Sequence, residues 1–173
     1  MTASAFFQHR IERQLARVRD GQLPGIIEKD CFDQLELLHK VLGQDVDNTL
    51  FALDHGNLKP NHIIFDENNN IKCIVGWGNA ATAPVASAAR LPGMLWSKES
   101  AHDIPSQETL QDRRDYVESY ASQDAEAANL MRKWQNGKNV DFRTPYFESI
   151  ASKGMLKSMA SVGWALSYDV LTQ

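Results

Sequence analysis

The fold is decided by a stretch in the first half of the chain, LDHGNLKPNHIIFD at residues 53–66, with IVGWG following at residues 74–78. The segment 62–65, which starts with His62, is β-branched and aromatic and predicts a strand, and residues 71–75 form a second apolar run. Between them, residues 66–70 are acidic and asparagine-rich, which is typical of a turn. Two short strands around such a turn predict a β-hairpin.

Helical patterns precede this hairpin. In residues 4–19 apolar side chains recur every three or four positions, and Gly21 supplies a stop signal. Asp30 can cap a second helix that ends near Gly43. The first helix also has a basic face, made by Arg10, Arg13, Arg17 and Arg19. A solvated surface and a face that docks a partner would both account for these arginines.

Helical patterns also dominate the second half of the chain. Residues 86–90 predict a short helix or turn, and residues 107–135 predict the longest helix. Residues 145–170 predict one or two further helices, with Gly154 or Gly163 as weak points. The predicted fold class is therefore mostly α with a small β-hairpin.

The domain organisation follows from the same patterns. No internal repeat or long linker divides the chain, so we expect a single domain over residues 1–173. Within it we expect N-terminal helices at 1–45, the hairpin segment at 50–78 and a helical subdomain at 105–173.

Composition and charge narrow the class of protein. The net charge of −4 argues against a general nucleic-acid binder, because such proteins need a basic face to neutralise phosphates. The sequence has no secretory signal pattern and no apolar run of membrane-spanning length, so we expect a cytoplasmic protein with no membrane partner. Cys31 and Cys73 form no metal or redox motif and predict free thiols.

The quoted stretch resembles the catalytic loop and metal-binding segment of aminoglycoside-phosphotransferase-like proteins. That family carries His-Gly-Asp-Leu, then Asn-Ile, an apolar strand, a turn and Ile-Asp-Trp. The matching residues here are His55-Gly56-Asn57-Leu58, His62-Ile63 and Val75-Gly76-Trp77. The resemblance covers residues 50–96 and is closest in pattern to fungal-type members. It implies the C-terminal lobe of a kinase-like fold.

The resemblance also implies that three functional positions have changed. Asn57 stands where the family has the carboxylate base, His62 where an asparagine binds the metal, and Gly76 where the principal metal-binding aspartate stands. An amide cannot act as a carboxylate base, and imidazole suits transition ions better than magnesium. The residues before His55 indicate two helices and no glycine-rich phosphate loop, so an ATP-binding lobe is not expected either. We therefore expect no phosphotransferase activity, no metal and no cofactor.

Candidate site residues lie around the same loop. The candidate catalytic residues are Asn57, which can donate and accept hydrogen bonds, His62, whose residue type suits acid–base chemistry, and Asp54. The candidate substrate-binding residues are His55, Asn61, Tyr116 and Tyr120. Structural roles compete with each of these, such as loop support by His55 and a turn or cap for Asp54. A zinc site is not expected, since no third ligand lies at a suitable spacing.

Two classes of function remain. One is a repurposed small-molecule enzyme that promotes a cyclisation, rearrangement or elimination without metal or nucleotide, for which secondary metabolism is a plausible setting. The other is a non-catalytic, pseudokinase-like binding or regulatory protein, for which a homodimer is one arrangement. A partly apolar pocket of at least ~300 Å³ beside Asn57 and His62 would favour the enzyme. A filled cleft with an exposed apolar face would favour the binding protein.

Overall fold

The computed structural model describes residues 1–42, 50–95, 106–133 and 142–164. The helices are α1 (Ala3–Arg19), α2 (Glu28–Leu42), α3 (Val85–Ala88), α4 (Gln107–Ala121), α5 (Ala125–Lys133), α6 (Arg143–Ala151) and α7 (Lys153–Ser161). The strands are β1 (Phe51–Asp54), β2 (Ile63–Phe65), β3 (Ile71–Ile74) and β4 (Ala81–Pro84). The predicted class, mostly α with a small β-hairpin, is confirmed. In the part of the chain covered by these ranges, no helix is long and apolar enough to cross a membrane.

Contacts divide the chain into two compact units. One contains Met1–Leu50 and Arg132–Gln173, and the other is Phe51–Met131. The helices of the predicted subdomain at residues 105–173 are therefore shared between the units. The single domain over residues 1–173 stays a prediction.

The first unit is built on α1 and α2. Helix α1 begins where predicted, with the Thr2 side chain accepting a hydrogen bond from the Ala5 backbone N–H, and it buries Phe7 and Ile11. Helix α2 begins two residues before Asp30, so the prediction that Asp30 is its N-cap is wrong. The Asp30 carboxylate instead reaches back and accepts a hydrogen bond from the Ile27 N–H at 2.9 Å. It thereby satisfies a donor ahead of the first turn.

A buried polar network ties α6 to α1 and α2. The Gln14 side chain donates to the Ser149 carbonyl at 3.0 Å, and the Gln34 side chain donates to the Ser149 hydroxyl at 2.7 Å. The Tyr146 hydroxyl donates to the Gln34 carbonyl at 2.7 Å. These groups are buried, so each bond also avoids the cost of an unpaired polar atom.

The second unit carries two separate two-stranded antiparallel sheets. The predicted hairpin is confirmed as β2 and β3, with Ile63 opposite Ile74. Its turn is closed by Asp66, whose carboxylate accepts backbone hydrogen bonds from Asn68 and Asn70, and these bonds lower the pKa of that carboxyl. The second sheet, which pairs β1 with β4, was not predicted.

Helices of the second unit enclose a small core. It is formed by Ala89, Leu91, Val117, Ala127, Ala128 and Met131. The single helix predicted over residues 107–135 is wrong, because the chain breaks between α4 and α5. Asp124 explains the break: its carboxylate accepts a hydrogen bond from the Ala127 N–H and so caps a new helix. Gly137, its predicted end, lies outside the described residues.

The C-terminal helical pattern also resolves into two helices, α6 and α7. The break falls at Ser152, whose hydroxyl accepts a hydrogen bond from the Met155 N–H. Gly154 lies inside α7 and is not the weak point, whereas Gly163 follows the helix with a positive φ of 62°. A capping side chain therefore decided this boundary.

Candidate functional site

The candidate loop begins where β1 ends and is held in place by Asp54. One carboxylate oxygen of Asp54 accepts a hydrogen bond from the Gly56 N–H at 3.0 Å. The other forms an ion pair with Arg90 at 2.9 Å, and both side chains are about four-fifths buried. Both oxygens of this candidate catalytic carboxylate are therefore engaged in holding the loop.

Gly56 lets the loop approach the turn that follows β3. Its φ is +76°, and a Cβ added there would lie 2.3 Å from the Asn79 carbonyl oxygen. Only glycine fits this position without movement of one backbone or the other.

His55 supports the loop through a hydrogen bond to the backbone. Its ring is buried, and Nε2–H donates to the Val75 carbonyl at 2.9 Å. The carbonyl can only accept, so the bond places a proton on Nε2. Nδ1 is also buried and has no hydrogen-bond partner within the described ranges. The geometry is that of a residue supporting a loop through the backbone.

His62 occupies the place where the resemblance puts a metal-binding side chain. Nδ1–H of His62 donates to the Asn57 carbonyl at 2.9 Å. The ring lies directly over Gly76, since a Cβ on Gly76 would meet three ring atoms at 3.0 Å. Gly76 also has a φ of +83°, in the left-handed region. The imidazole therefore occupies the space that a side chain at position 76 would need.

His62 does not begin a strand, contrary to the prediction. It closes a short 3₁₀ turn, Pro60–His62, and β2 begins one residue later. Pro60 explains this, because its fixed φ favours the first position of a turn. The turn directs the imidazole towards Gly76 instead of along the sheet.

The rings of His55, His62 and Trp77 lie close together in the loop. The ring centroids of His55 and His62 are 5.6 Å apart, and those of His55 and Trp77 are 4.6 Å apart. The indole N–H of Trp77 donates to the Ile74 carbonyl at 2.8 Å. Trp77 is nevertheless 46% exposed, so its ring is only partly covered.

The remaining candidate residues do not join this cluster. The side chain of Asn57 is half-buried and Asn61 is exposed, and neither makes a side-chain hydrogen bond to any described residue. Tyr116 and Tyr120 lie one turn apart on α4, with ring centroids 6.0 Å apart, and they pack against the small helical core. Burial raises the pKa of both phenols. The structure describes no contact of either tyrosine with the loop.

The histidine and carboxylate side chains of the loop do not form a metal-binding group. Among the described residues, no group of three or more His, Cys, Asp or Glu side chains could hold a metal ion. His62 already uses Nδ1 for a backbone carbonyl, and His55 uses Nε2 in the same way. The loop also carries two hydrogen-bonding groups without a partner among the described residues: the Asn57 side-chain amide and His55 Nδ1.

The hairpin also exposes apolar side chains that the sequence patterns did not predict. Seven large apolar side chains in and beside the hairpin are at least one-third exposed: Leu53, Ile64, Phe65, Ile71, Ile74, Val75 and Trp77. We call these seven side chains the hairpin face. All four residues of β3 are exposed, so both sides of that strand are open. The missed signal was the run from Ile71 to Val75, in which apolar side chains occur on both faces and Lys72 is the one charged residue.

Comparison with known proteins identifies no relative. No protein-family model, no curated protein and no solved structure matches this chain.

Proposed function

We propose that this protein is a non-catalytic binding protein built on a degenerate kinase-like lobe, and that a second copy of the chain covers its hairpin face. The observation that carries the proposal is the exposure of apolar side chains along β2 and β3. An isolated two-stranded hairpin is marginally stable in water. Large exposed apolar surface is typical of interaction sites.

The loop geometry supports the non-catalytic part of the proposal. Phosphoryl transfer requires a carboxylate to orient the attacking hydroxyl and oxygen ligands for magnesium. Asn57 offers an amide, Gly76 offers no side chain, and Asp54 is held by Arg90 and by a backbone N–H. The His62 ring occupies the space beside Gly76. Magnesium and ATP are therefore expected to bind no more tightly than to an unrelated acidic protein.

A second copy is the partner that the strand edges favour. Strand β3 pairs only with β2 among the described strands, so its outer edge presents unpaired backbone groups. Such an edge is a template for another strand. A twofold dimer brings one patch against itself, so an apolar edge strand can serve as both halves of the interface.

The test is the molar mass of the purified chain by sedimentation equilibrium across the micromolar range. The wild-type chain is expected to show twice the chain mass, and Phe65→Lys is expected to shift it towards the monomer. The matched control is Phe32→Lys on α2, because Phe32 is 48% exposed and Phe65 is 53% exposed. The control is expected to remain a dimer, since Phe32 lies outside the hairpin face.

Two results would contradict the proposal. A monomer at every concentration would mean that no second copy covers the face. A dimer that Phe65→Lys leaves intact, or that Phe32→Lys dissociates equally, would place the interface elsewhere. Circular dichroism of both variants would show whether loss of the dimer comes from misfolding.

A repurposed small-molecule enzyme remains a second candidate. Two observations favour it: the Asn57 amide makes no hydrogen bond to any described residue, and His55 Nδ1 is buried without one. A ligand with a hydroxyl or amide group would satisfy the buried nitrogen. Thermal-shift screening of a metabolite library tests it, with Asn57→Ala as the variant expected to lose any hit. A hit retained in Asn57→Ala would count against this site.

A further inference from the structure

A groove on the first unit is bordered by arginine side chains. Arg10, Arg13 and Arg17 of α1 line a cavity of about 170 Å³ together with Gln14 and Ile150. Spacings of three and four residues place the arginines on one face of the helix, over two turns. Three guanidinium groups therefore surround one concave surface.

Within the described residues, these arginines have no carboxylate partner. Glu12 of the same helix instead accepts a hydrogen bond from Gln8. The guanidinium of Arg10 lies 4.6 Å from the centre of the Phe6 ring, which orients it without neutralising it. The groove is thus a local concentration of positive charge on a chain whose net charge is −4.

Gln14 lines the groove and is held in place by a hydrogen bond. Its side chain is 8% exposed, and its amide nitrogen donates to the Ser149 carbonyl at 3.0 Å. The amide oxygen is buried and has no hydrogen-bond partner in the described ranges. A buried acceptor without a donor is costly.

Size and charge together select the ligand. Sites for drug-sized molecules typically enclose about 300–1,000 Å³, so this cavity has room for a small group only, with the rest of a ligand outside. A phosphoryl group offers three acceptor oxygens and up to two negative charges, whereas a carboxylate offers two oxygens and one charge. Planar arginine forks match phosphate oxygens in pairs.

We infer that the groove formed by Arg10, Arg13 and Arg17 binds the phosphoryl group of a small phosphomonoester. The site lies within the first unit, and it does not depend on the hairpin face or on the proposed dimer. It gives the basic face of α1 a specific ligand in place of general solvation.

The test is a ¹H–¹⁵N NMR titration of the full chain that follows the arginine Nε–H signals. Inorganic phosphate, phenyl phosphate and acetate are the probes. Phenyl phosphate is expected to bind saturably near or below about 1 mM, inorganic phosphate more weakly, and acetate not measurably. Arg13→Gln and Arg17→Gln are each expected to weaken phenyl phosphate binding at least about tenfold, because each removes charge-assisted hydrogen bonds.

The matched control is Arg19→Gln, which removes the same charge from the same helix. Arg19 lies outside the groove and pairs with Glu28. The affinity of the Arg19→Gln variant for phenyl phosphate should match that of the wild type. The inference is overturned if no probe binds, if acetate binds as well as phosphate, or if Arg19→Gln weakens binding as much as Arg13→Gln does. The last result would indicate general attraction to a basic helix.

Discussion

At the scale of single residues, His62 and Gly76 act as one structural unit. The imidazole is held by the Asn57 carbonyl and lies over the Gly76 backbone, where any other residue would begin its side chain. Gly76 also adopts a left-handed conformation that favours glycine. An aspartate introduced at position 76 alone would therefore clash with the His62 ring. It would also have to adopt a backbone conformation that is unfavourable for any residue with a side chain.

The first prediction concerns Gly76. Gly76→Ala is expected to lower the free energy of unfolding by about 1–3 kcal/mol, from the positive φ and from displacement of the His62 ring. In a His62→Ala background the cost should fall by at least about 0.5 kcal/mol, because the ring no longer opposes the new methyl group. Chemical denaturation of the four proteins in this cycle measures both quantities.

Gly78→Ala is the control for that cycle. Gly78 lies in the same turn, has no atom within 4 Å of an added Cβ and no positive φ, so its substitution should be nearly neutral. Additive effects of Gly76→Ala and His62→Ala would mean that the imidazole does not occupy the space over Gly76.

The two cysteines should differ in reactivity. Cys31 is fully buried, and burial raises the pKa of its thiol to about 11, with Asp30 and Glu28 adding to the shift. Cys73 is exposed on β3. Alkylation at pH 8 should therefore modify one site per native chain and two per denatured chain, as counted by intact mass. Cys73→Ser should take no adduct in the native state, and any adduct on native Cys31 would contradict its burial.

At the scale of elements, the phenol of Tyr146 joins α6 to α2 and makes the first unit sensitive to alkali. Burial raises the pKa of this phenol well above the ordinary value of about 10. The folded state therefore keeps a proton that the unfolded chain releases above about pH 10. Its contribution to stability is complete below that pH and is lost as the pH rises through the folded pKa.

Tyr146→Phe tests this account. At pH 7 the variant should be less stable by about 1 kcal/mol, because the hydrogen bond to the Gln34 carbonyl is lost. Above about pH 10 the difference in free energy of unfolding between the wild type and the variant should shrink by up to about 1.4 kcal/mol per pH unit, since phenylalanine cannot ionise. Urea unfolding at several pH values measures the difference. A gap that stays constant from pH 7 to pH 11 would contradict the burial of the hydroxyl.

The elements also show what local sequence could predict. Helix α1 and the hairpin were predicted because their signals are local: apolar spacing, and the Asp66 turn between two β-branched runs. The pairing of β1 with β4 joins segments about 30 residues apart, and no local pattern specifies it. The break at Asp124 was missed because a capping aspartate inside a long apolar stripe resembles a surface residue.

The site was predictable in its residues but not in its arrangement. The quoted stretch led to Asp54, His55, Asn57 and His62, and the structure places all four in one loop region. That the ring of His62 fills the space over Gly76 depends on a 3₁₀ turn and a left-handed glycine, neither of which a residue pattern encodes. Tyr116 and Tyr120 were grouped with the loop by resemblance, whereas helix packing holds them in a separate core.

At the scale of the whole molecule, the proposal combines a closely packed group of rings in the loop with an uncovered strand edge. The rings of His55, His62 and Trp77 fill the loop region, while apolar side chains of β2 and β3 remain exposed. Covering the hairpin face would stabilise the protein, because burial of apolar surface is worth roughly 25 cal/mol per Å². We therefore propose the hairpin face as the binding surface of the protein.

The most direct measurement of this claim is the alkylation rate of Cys73 as a function of protein concentration. Cys73 lies in the middle of the exposed strand β3. Because Cys31 is buried, alkylation of the native chain reports on the accessibility of Cys73. If a second copy covers the hairpin face, the rate per chain should fall severalfold as the concentration rises through the dimer dissociation constant, and Phe65→Lys should abolish that dependence. A rate that stays constant at all concentrations would contradict the account, because the face would then be open to solvent in every state of the protein.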